Sequence, residues 1–125
     1  MLASQITNSF IDSHSVNIGT IDVETETLES FCVKNNIYNI DILKMDVQGG
    51  ELKVLKGAEN LLINKSIDFI YSEIWFLAGY IGQPLYHDLA TYLNSLGYSP
   101  FALFNMHYGK DGRYLWGDAL FYKQA

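Results

Sequence analysis

Residues 40–58, IDILKMDVQGGELKVLKGA, decide how this chain is expected to fold. The run Ile40–Met45 is short and apolar, which predicts a strand, and Asp46 follows where that strand ends. Two consecutive glycines come next and permit the backbone angles of a tight turn. Apolar residues then recur at helical spacing, so a helix is predicted from Glu51 to about Ile63.

Acidic residues end two neighbouring predicted strands. Asp46 follows the first, and Glu73 lies at the end of the next, Ile67–Ile74. In open α/β sheets ligands bind just beyond the carboxyl ends of parallel strands, so both acids would face one cleft. We therefore predict Asp46 and Glu73 as catalytic residues that orient a substrate and act as general base. The structural alternatives are a turn-capping role for Asp46 and a solvated strand terminus for Glu73.

Four further residues are candidates for substrate binding: Glu51, Trp75, Tyr80 and His107. A charge such as Glu51 also suits the start of a helix. Trp75 and Tyr80 belong to an aromatic loop that would either line a substrate pocket or pack over the core. His107 is placed near the loop after the third strand. No metal site is predicted, because the histidines are scattered and there is one cysteine.

The rest of the chain is assigned by the same patterns. Residues 1–15 are expected to be mainly coil, and Thr25 or Thr27 would cap a short helix. Strand, helix and strand around the central stretch predict a right-handed crossover. The last two strands are predicted to be antiparallel with a longish loop between them. The remaining assignments are a kinked strand Val16–Val23, a helix Tyr86–Leu96 stopped by Gly97, and strands Tyr98–Phe104 and Asp118–Lys123.

The composition bounds the class of protein. A chain of 125 residues makes one small domain, here 1–125, and its net charge of −6 argues against a nucleic-acid partner. No apolar run approaches the ~20 residues that span a bilayer, and the first residues lack a signal-peptide pattern. The single Cys32 excludes an internal disulfide and makes a cytoplasmic, reduced setting the default expectation.

The central stretch resembles the central motif of the FkbM-type methyltransferases, which use S-adenosylmethionine and have a Rossmann-like fold. The resemblance extends from about Thr20 to the C-terminus, and Thr27-Leu28-Glu29 is similar to a Thr-Leu-Asp step of the family. Gln48 departs from the pattern, because the family usually has Glu there. The matching positions are Lys44, Met45, Asp46, Val47, Gln48, Gly49, Gly50, Glu51, Leu52, Leu55, Gly57 and Ala58.

The resemblance implies a fold and a reaction. The fold would be a partial Rossmann-like α/β domain, a mostly parallel sheet with an antiparallel C-terminal strand pair, flanked by helices. The reaction would be methyl transfer from S-adenosylmethionine to a hydroxyl oxygen of a sugar, glycan or polyketide, with Asp46 and Glu73 acting on the acceptor.

The family's glycine-rich turn, which brings the backbone close to the methyl donor, has no counterpart in this chain. We therefore expect a C-terminal half that lacks the donor-binding half and binds the donor poorly by itself. The edge of strand Ile40–Met45 would be covered by the N-terminal segment, by a second copy of the chain or by a separate donor-binding polypeptide.

Two other functions stay open at this point. One is a non-catalytic remnant or split-protein module that acts through self-association or a donor-binding partner. The departure at Gln48 and the missing glycine motif favour it. The other is a metal-dependent hydrolase that uses Asp46 and Glu73.

Overall fold

The structure, a computed structural model, describes residues 18–125. This part of the chain is mixed α/β, as predicted, and β1 has the predicted bounds. None of its helices is long and apolar enough to cross a membrane. The elements in order are α1 (Leu28–Lys34), β1 (Ile40–Met45), α2 (Glu51–Lys56), α3 (Glu59–Ile63), β2 (Ile67–Trp75), α4 (Tyr86–Ser95), β3 (Tyr98–Tyr108) and β4 (Tyr114–Lys123).

The strands of residues 18–125 form one sheet in the order β1-β2-β4-β3. β1 and β2 are parallel, whereas β4 is antiparallel to both β2 and β3. The prediction of a mostly parallel sheet is therefore wrong, because only one of these pairings is parallel. The difference arises because β4, the second strand of the β3–β4 hairpin, pairs with β2 and runs antiparallel to it.

The helices of the described residues pack on one face of this sheet. Ile70 and Ile74 of β2 and Phe121 of β4 are buried against Leu55 of α2 and Leu93 of α4. Strand residues alternate between faces, so those between the core positions lie on the opposite, open face. Within residues 18–125 the predicted flanking helices therefore cover one face of the sheet. The open face carries Ile42, Lys44, Phe69, Tyr71, Glu73, Trp75, Trp116, Asp118, Leu120 and Tyr122.

Within the described residues β1 is an edge strand with one neighbour, β2. The side chain of Ile42, which lies on the open face of the sheet, is 62% exposed. The predicted kinked strand is wrong over residues 18–23, which form no strand and expose Ile18 and Ile21 to solvent. The remainder of that prediction, at Val16, and the coil predicted for residues 1–15 lie outside the described residues.

The helix predicted as continuous from Glu51 is two helices. α2 ends at its C-cap Gly57, and Ala58, with a φ of −121°, caps the start of α3. Gly57 lies against the N-terminus of α1, where its carbonyl accepts a hydrogen bond from the Glu29 amide at 3.3 Å. The break lets this region contact α1. Of the two predicted caps of α1, Thr27 is the one used, since its hydroxyl accepts the Ser30 amide at 3.1 Å.

The β3–β4 hairpin is longer than predicted. The predicted longish loop is a short turn at residues 109–113, closed by the Gly109 amide donating to the Arg113 carbonyl at 2.8 Å. Aromatic side chains pair across the added strand residues, as at Tyr108 and Tyr114 with ring centroids 5.4 Å apart. Such pairs stabilise a sheet and extend it. His107 therefore lies on β3, two residues before this turn, and so near the loop as predicted.

Tyr98, fully buried, offers a test of this packing. Its hydroxyl donates to the Ile67 carbonyl at 2.7 Å and joins β3 to the start of β2 across the core. We expect Tyr98→Phe to lower the free energy of unfolding by about 1–3 kcal/mol, because a buried carbonyl loses its donor. Tyr122→Phe, on the open face, is the matched control and should change it little. Equal effects in urea denaturation would contradict the packing described.

Candidate active site

Asp46 and Glu73 lie at the same end of the sheet. The register pairs Met45 of β1 with Ser72 of β2, and both residues are buried. Asp46 and Glu73 are the next residues along these parallel neighbours. The structure thus brings the two predicted catalytic residues to adjacent positions at the carboxyl ends of their strands.

The two carboxylates have different surroundings. Asp46 is exposed, and its Oδ1 accepts a hydrogen bond from Nε2 of Gln48 at 3.2 Å. Glu73 is half-buried on the open face, and its Oε1 accepts from Nε1 of Trp75 at 2.9 Å. Glu73 therefore accepts a hydrogen bond from an indole, whereas Asp46 accepts one from Gln48, which stands where the family usually has Glu.

The turn after Asp46 has two left-handed residues, Gln48 with a φ of 51° and Gly49 with a φ of 97°. Position 49 therefore requires glycine, because other residues rarely adopt this angle. Gly50 has a φ of −91°, an angle that any residue adopts, so the prediction that both glycines serve the turn angles holds only for Gly49. The turn is fastened by Glu51, whose Oε1 accepts the Val47 amide at 3.3 Å.

Glu51, predicted to bind substrate, is 4% exposed. Burial raises the pKa of its carboxyl group, backbone amides in the turn lower it, and the nearby charge of Glu73 raises it further by a smaller amount. Its carboxylate is committed to the turn in this conformation. The site therefore contains a buried acid that is easier to protonate than an ordinary glutamate.

Tyr80 covers the glycine turn. A Cβ built on Gly49 would collide with the Tyr80 hydroxyl, and that hydroxyl lies 3.4 Å from the Gln48 carbonyl that accepts its hydrogen bond. Burial raises the pKa of the Tyr80 phenol, and the charge of Glu51 adds to this. The aromatic loop that follows β2 thus folds back over the turn that follows β1.

Three aromatic rings form a row across the end of the sheet. Trp75 of β2 stacks on Trp116 of β4 with ring centroids 5.2 Å apart, and Trp116 stacks on His107 of β3 at 4.5 Å. We call Trp75, Trp116 and His107 the aromatic row. Trp75 and His107, both predicted to bind substrate, are brought together because each stacks on Trp116. Trp116 was not predicted, because the pattern placed it in a loop.

Asp118 is the other residue that the sequence interpretation missed. It lies directly opposite Glu73 in the antiparallel pairing of β2 and β4. Its Oδ2 accepts hydrogen bonds from the Tyr71 hydroxyl and from Nδ2 of Asn105, both at 2.9 Å. The hydrogen bond to this carboxylate raises the pKa of Tyr71. Its position at the start of a predicted strand was the one signal available.

The site is acidic, and none of the ion pairs within residues 18–125 involves Asp46, Glu73 or Asp118. The ion pairs of this part of the chain involve other acids, Glu26, Asp68, Asp88 and Asp111. No group of three or more His, Cys, Asp or Glu residues in the same range is arranged to hold a metal ion. What the site offers chemically is hydrogen-bond acceptors and aromatic surface.

A comparison with family models decides the family. The model of the methyltransferase FkbM domain matches residues 2–100. The chain belongs to the FkbM methyltransferase domain family. The resemblance seen in the central motif is thereby confirmed, and methyl transfer is the general activity of the family.

One curated relative of this FkbM-domain chain is 2-O-methyltransferase NoeI of Sinorhizobium fredii (strain NBRC 101917 / NGR234), 38% identical over 68 residues. The match covers 54% of this chain and spans 25% of the length of that protein. No solved structure matches the chain. The mixed sheet with its helices is consistent with an α/β methyltransferase domain.

Glu51 gives the stability of this FkbM-family chain a pH dependence. Because the folded pKa is raised above 4.5, the stability that its carboxyl contributes is full below pH 4.5 and is lost as pH rises through the folded pKa. Glu51→Gln removes this titration and keeps a carbonyl for the Val47 amide. We expect the variant to gain stability relative to the native chain from acid to neutral pH. Urea denaturation at several pH values measures it, and a pH-independent difference would contradict the burial.

The contact between Tyr80 and the turn is tested by glycine substitutions. Gly49→Ala should lower the free energy of unfolding through both its left-handed angle and the clash with Tyr80. Gly82→Ala is the matched control, since Gly82 has a φ of 80° and open space around it. We expect Gly49→Ala to cost more than Gly82→Ala, and the excess to disappear in a Tyr80→Ala background. An excess that persists there would show that Tyr80 does not cover the turn.

Proposed function

We propose that this chain is the acceptor-handling part of an S-adenosylmethionine-dependent O-methyltransferase that methylates a hydroxyl group of a sugar, glycan or polyketide. The observation that carries the proposal is the adjacent pair of strand-end carboxylates, Asp46 and Glu73, in a chain of a methyltransferase family. The printed name of the relative, a 2-O-methyltransferase, supports oxygen as the atom methylated.

The two carboxylates have separate roles in this proposal. A hydroxyl oxygen that receives a methyl group must lose its proton, and a carboxylate within hydrogen-bond reach takes it. Asp46 is the general base, since it is exposed and one of its oxygens has no partner among the described hydrogen bonds. Glu73, held by the Trp75 indole, positions the acceptor hydroxyl group. The proton passes from Asp46 to solvent.

The methyl donor supplies the methyl group, and this chain has little with which to hold it. The glycine-rich donor motif is absent, and the space over Gly49 is filled by Tyr80. We therefore propose a donor-binding half that adds its strands to the edge of β1 and completes a Rossmann-like sheet. The single neighbour of β1 among the described strands supports this proposal, because its other edge is available for pairing. A second copy of this chain is the alternative cover.

A non-catalytic module remains the second candidate, and two contacts favour it. Gln48 stands where the family usually has Glu, and its side chain donates a hydrogen bond to Asp46. The Tyr80 hydroxyl fills the space over Gly49 in the turn. Such a chain would self-associate through the edge of β1 or accompany a donor-binding partner without transferring methyl groups.

The cytoplasm is the compartment that we propose for this reaction. Cys32 is free and buried, and no disulfide is possible within a chain that has one cysteine. Free cysteines are typical of reducing compartments.

The donor-binding proposal is tested by calorimetry. We expect the chain alone to show no saturable binding of S-adenosylmethionine at micromolar concentrations, because the donor cradle lies elsewhere. Micromolar binding by the isolated chain would overturn the proposed donor-binding half.

The catalytic proposal is tested on the chain purified with its donor-binding partner, with labelled S-adenosylmethionine and hydroxylated acceptors. We expect Asp46→Asn to lower kcat by about a hundred- to ten-thousandfold, the range for loss of a general base. Asp41→Asn, an exposed acid at the start of β1, is the matched control and should leave kcat unchanged. An Asp46→Asn variant with full activity would exclude Asp46 as the base, and absence of any methyl transfer would favour the non-catalytic module.

A further inference from the structure

We propose that Glu73 and Asp118 together bind hydroxyl groups of the acceptor while its ring lies against the aromatic row, so the acceptor is a neutral ring with several hydroxyl groups. This inference rests on the proposed function and narrows its acceptor class. It also adds β4, through Asp118 and Trp116, to a site first recognised on β1 and β2.

The placement of Glu73 opposite Asp118 is the first step. The two residues are direct partners in the antiparallel pairing of β2 and β4, and both lie on the open face. Side chains at such positions have Cβ atoms about 4.5–5.5 Å apart, and like charges there destabilise a sheet. No Lys or Arg forms an ion pair with either acid within residues 18–125. The repulsion is therefore relieved by hydrogen-bond donors.

The donors that the chain provides satisfy one oxygen of each acid. The Tyr71 hydroxyl and the Asn105 amide both donate to Oδ2 of Asp118, and the Trp75 indole donates to Oε1 of Glu73. An ionised carboxylate only accepts hydrogen bonds, and it has room for more than one donor on each oxygen. Among the hydrogen bonds of residues 18–125, the second oxygen of each acid has no donor, and we propose that donors of the acceptor occupy it. A ligand that fits must carry at least two donors a few ångströms apart.

The aromatic row selects the shape of that ligand. Its three rings cross the sheet just beyond the two acids, since Trp75 and Trp116 are paired two residues from Glu73 and Asp118 along their strands. Binding sites for small molecules combine aromatic surface with a few polar groups that fix orientation. A saturated ring with CH groups on its faces and hydroxyl groups at its rim matches both features.

A ring with a single hydroxyl group fits less well. It would satisfy one acid and cover the other, and a carboxylate that is removed from water without a donor is costly. An anionic acceptor would be repelled by the same pair. Among the acceptors of the proposed reaction, the pair therefore favours a sugar ring over a sparsely hydroxylated polyketide.

The chain provides its own probe. Its two tryptophans are Trp75 and Trp116, so intrinsic tryptophan fluorescence reports on this site alone. We would titrate the chain, without methyl donor, with the methyl glycosides of glucopyranose, galactopyranose and mannopyranose. Cyclohexanol serves as the ring with one hydroxyl group and cyclohexylammonium as the cationic ring. We expect a saturable change with at least one glycoside, and weaker binding of both comparison compounds.

Variants assign the binding to the acids. Asp118→Asn should weaken glycoside binding by about ten- to hundredfold, the loss expected for a hydrogen bond to a charged group. Asn105→Ala, which leaves both acids in place, should weaken binding less because it only frees Asp118 to move. Asp41→Asn keeps the same net charge as Asp118→Asn and should bind normally. If Asp118→Asn fails to fold, weaker glycoside binding by Asn105→Ala is the result that assigns the binding to Asp118.

The outcomes separate this inference from the proposed function. Four results would each overturn the inference. They are no binding of any glycoside, equal binding of cyclohexanol, preferential binding of cyclohexylammonium, and an unchanged Kd for the glycoside in Asp118→Asn (or in Asn105→Ala if Asp118→Asn does not fold). Methyl transfer by the assembled enzyme would then leave the proposed function intact. Glycoside binding that depends on Asp118, in an assembly without methyl transfer, would support the acceptor site and contradict the proposed reaction.

Discussion

The structure depends on the position of β2, which pairs with β1 on one edge and with β4 on the other. One face of β2 lies in the core under the helices, and its other face is open. Its residues Ile70, Ser72 and Ile74 lie under the helices, and the odd-numbered residues from Phe69 to Trp75 face the open side. A slip of one residue would carry Glu73 into the apolar core and two isoleucines into water. The free energy of burying those isoleucines therefore fixes the register, and the register places Glu73 beside Asp46 on one side and Asp118 on the other. The core thus determines the geometry of the site.

Local sequence patterns were enough to predict those helices and strands that are determined by residues close together in the sequence. The apolar run of β1 and the stop at Gly97 each follow from a few neighbouring residues, and the structure confirms both. The helical spacing after Glu51 also predicts helix correctly, but the structure has α2 and α3 there in place of one continuous helix. The family was found in the same stretch. The split of the predicted helix at Gly57 was missed because it depends on a contact with α1 that no local pattern contains.

The pairing of distant strands could not be predicted in the same way. The segment that contains His107 and Trp116 mixes aromatic, polar and glycine residues without regular alternation, so its strand residues looked like a loop. Their pairing is set by ring contacts across β3 and β4 and by the bulges that the register shows there. Asp118 and Trp116 acquire their place in the site only when β4 inserts next to β2. Their place in the site depends on the strand order of the sheet, which could not be predicted from the order of the elements along the chain.

The open face has two ends with different chemistry, and this difference bears on the proposed acceptor site and on the proposed donor-binding half. At the carboxyl ends of the parallel strands it carries the acids and the aromatic row. Toward the opposite end it carries exposed apolar side chains such as Phe69 and Tyr122. Apolar residues on a sheet face are stabilised when another layer covers them, whereas the acids need donors or water. If a donor-binding half covers the apolar end, the polar end becomes a cleft, and water is then excluded from one side of Glu73 and Asp118. The hydrogen bonds of those carboxylates to an acceptor gain strength in such a cleft, because the local dielectric falls.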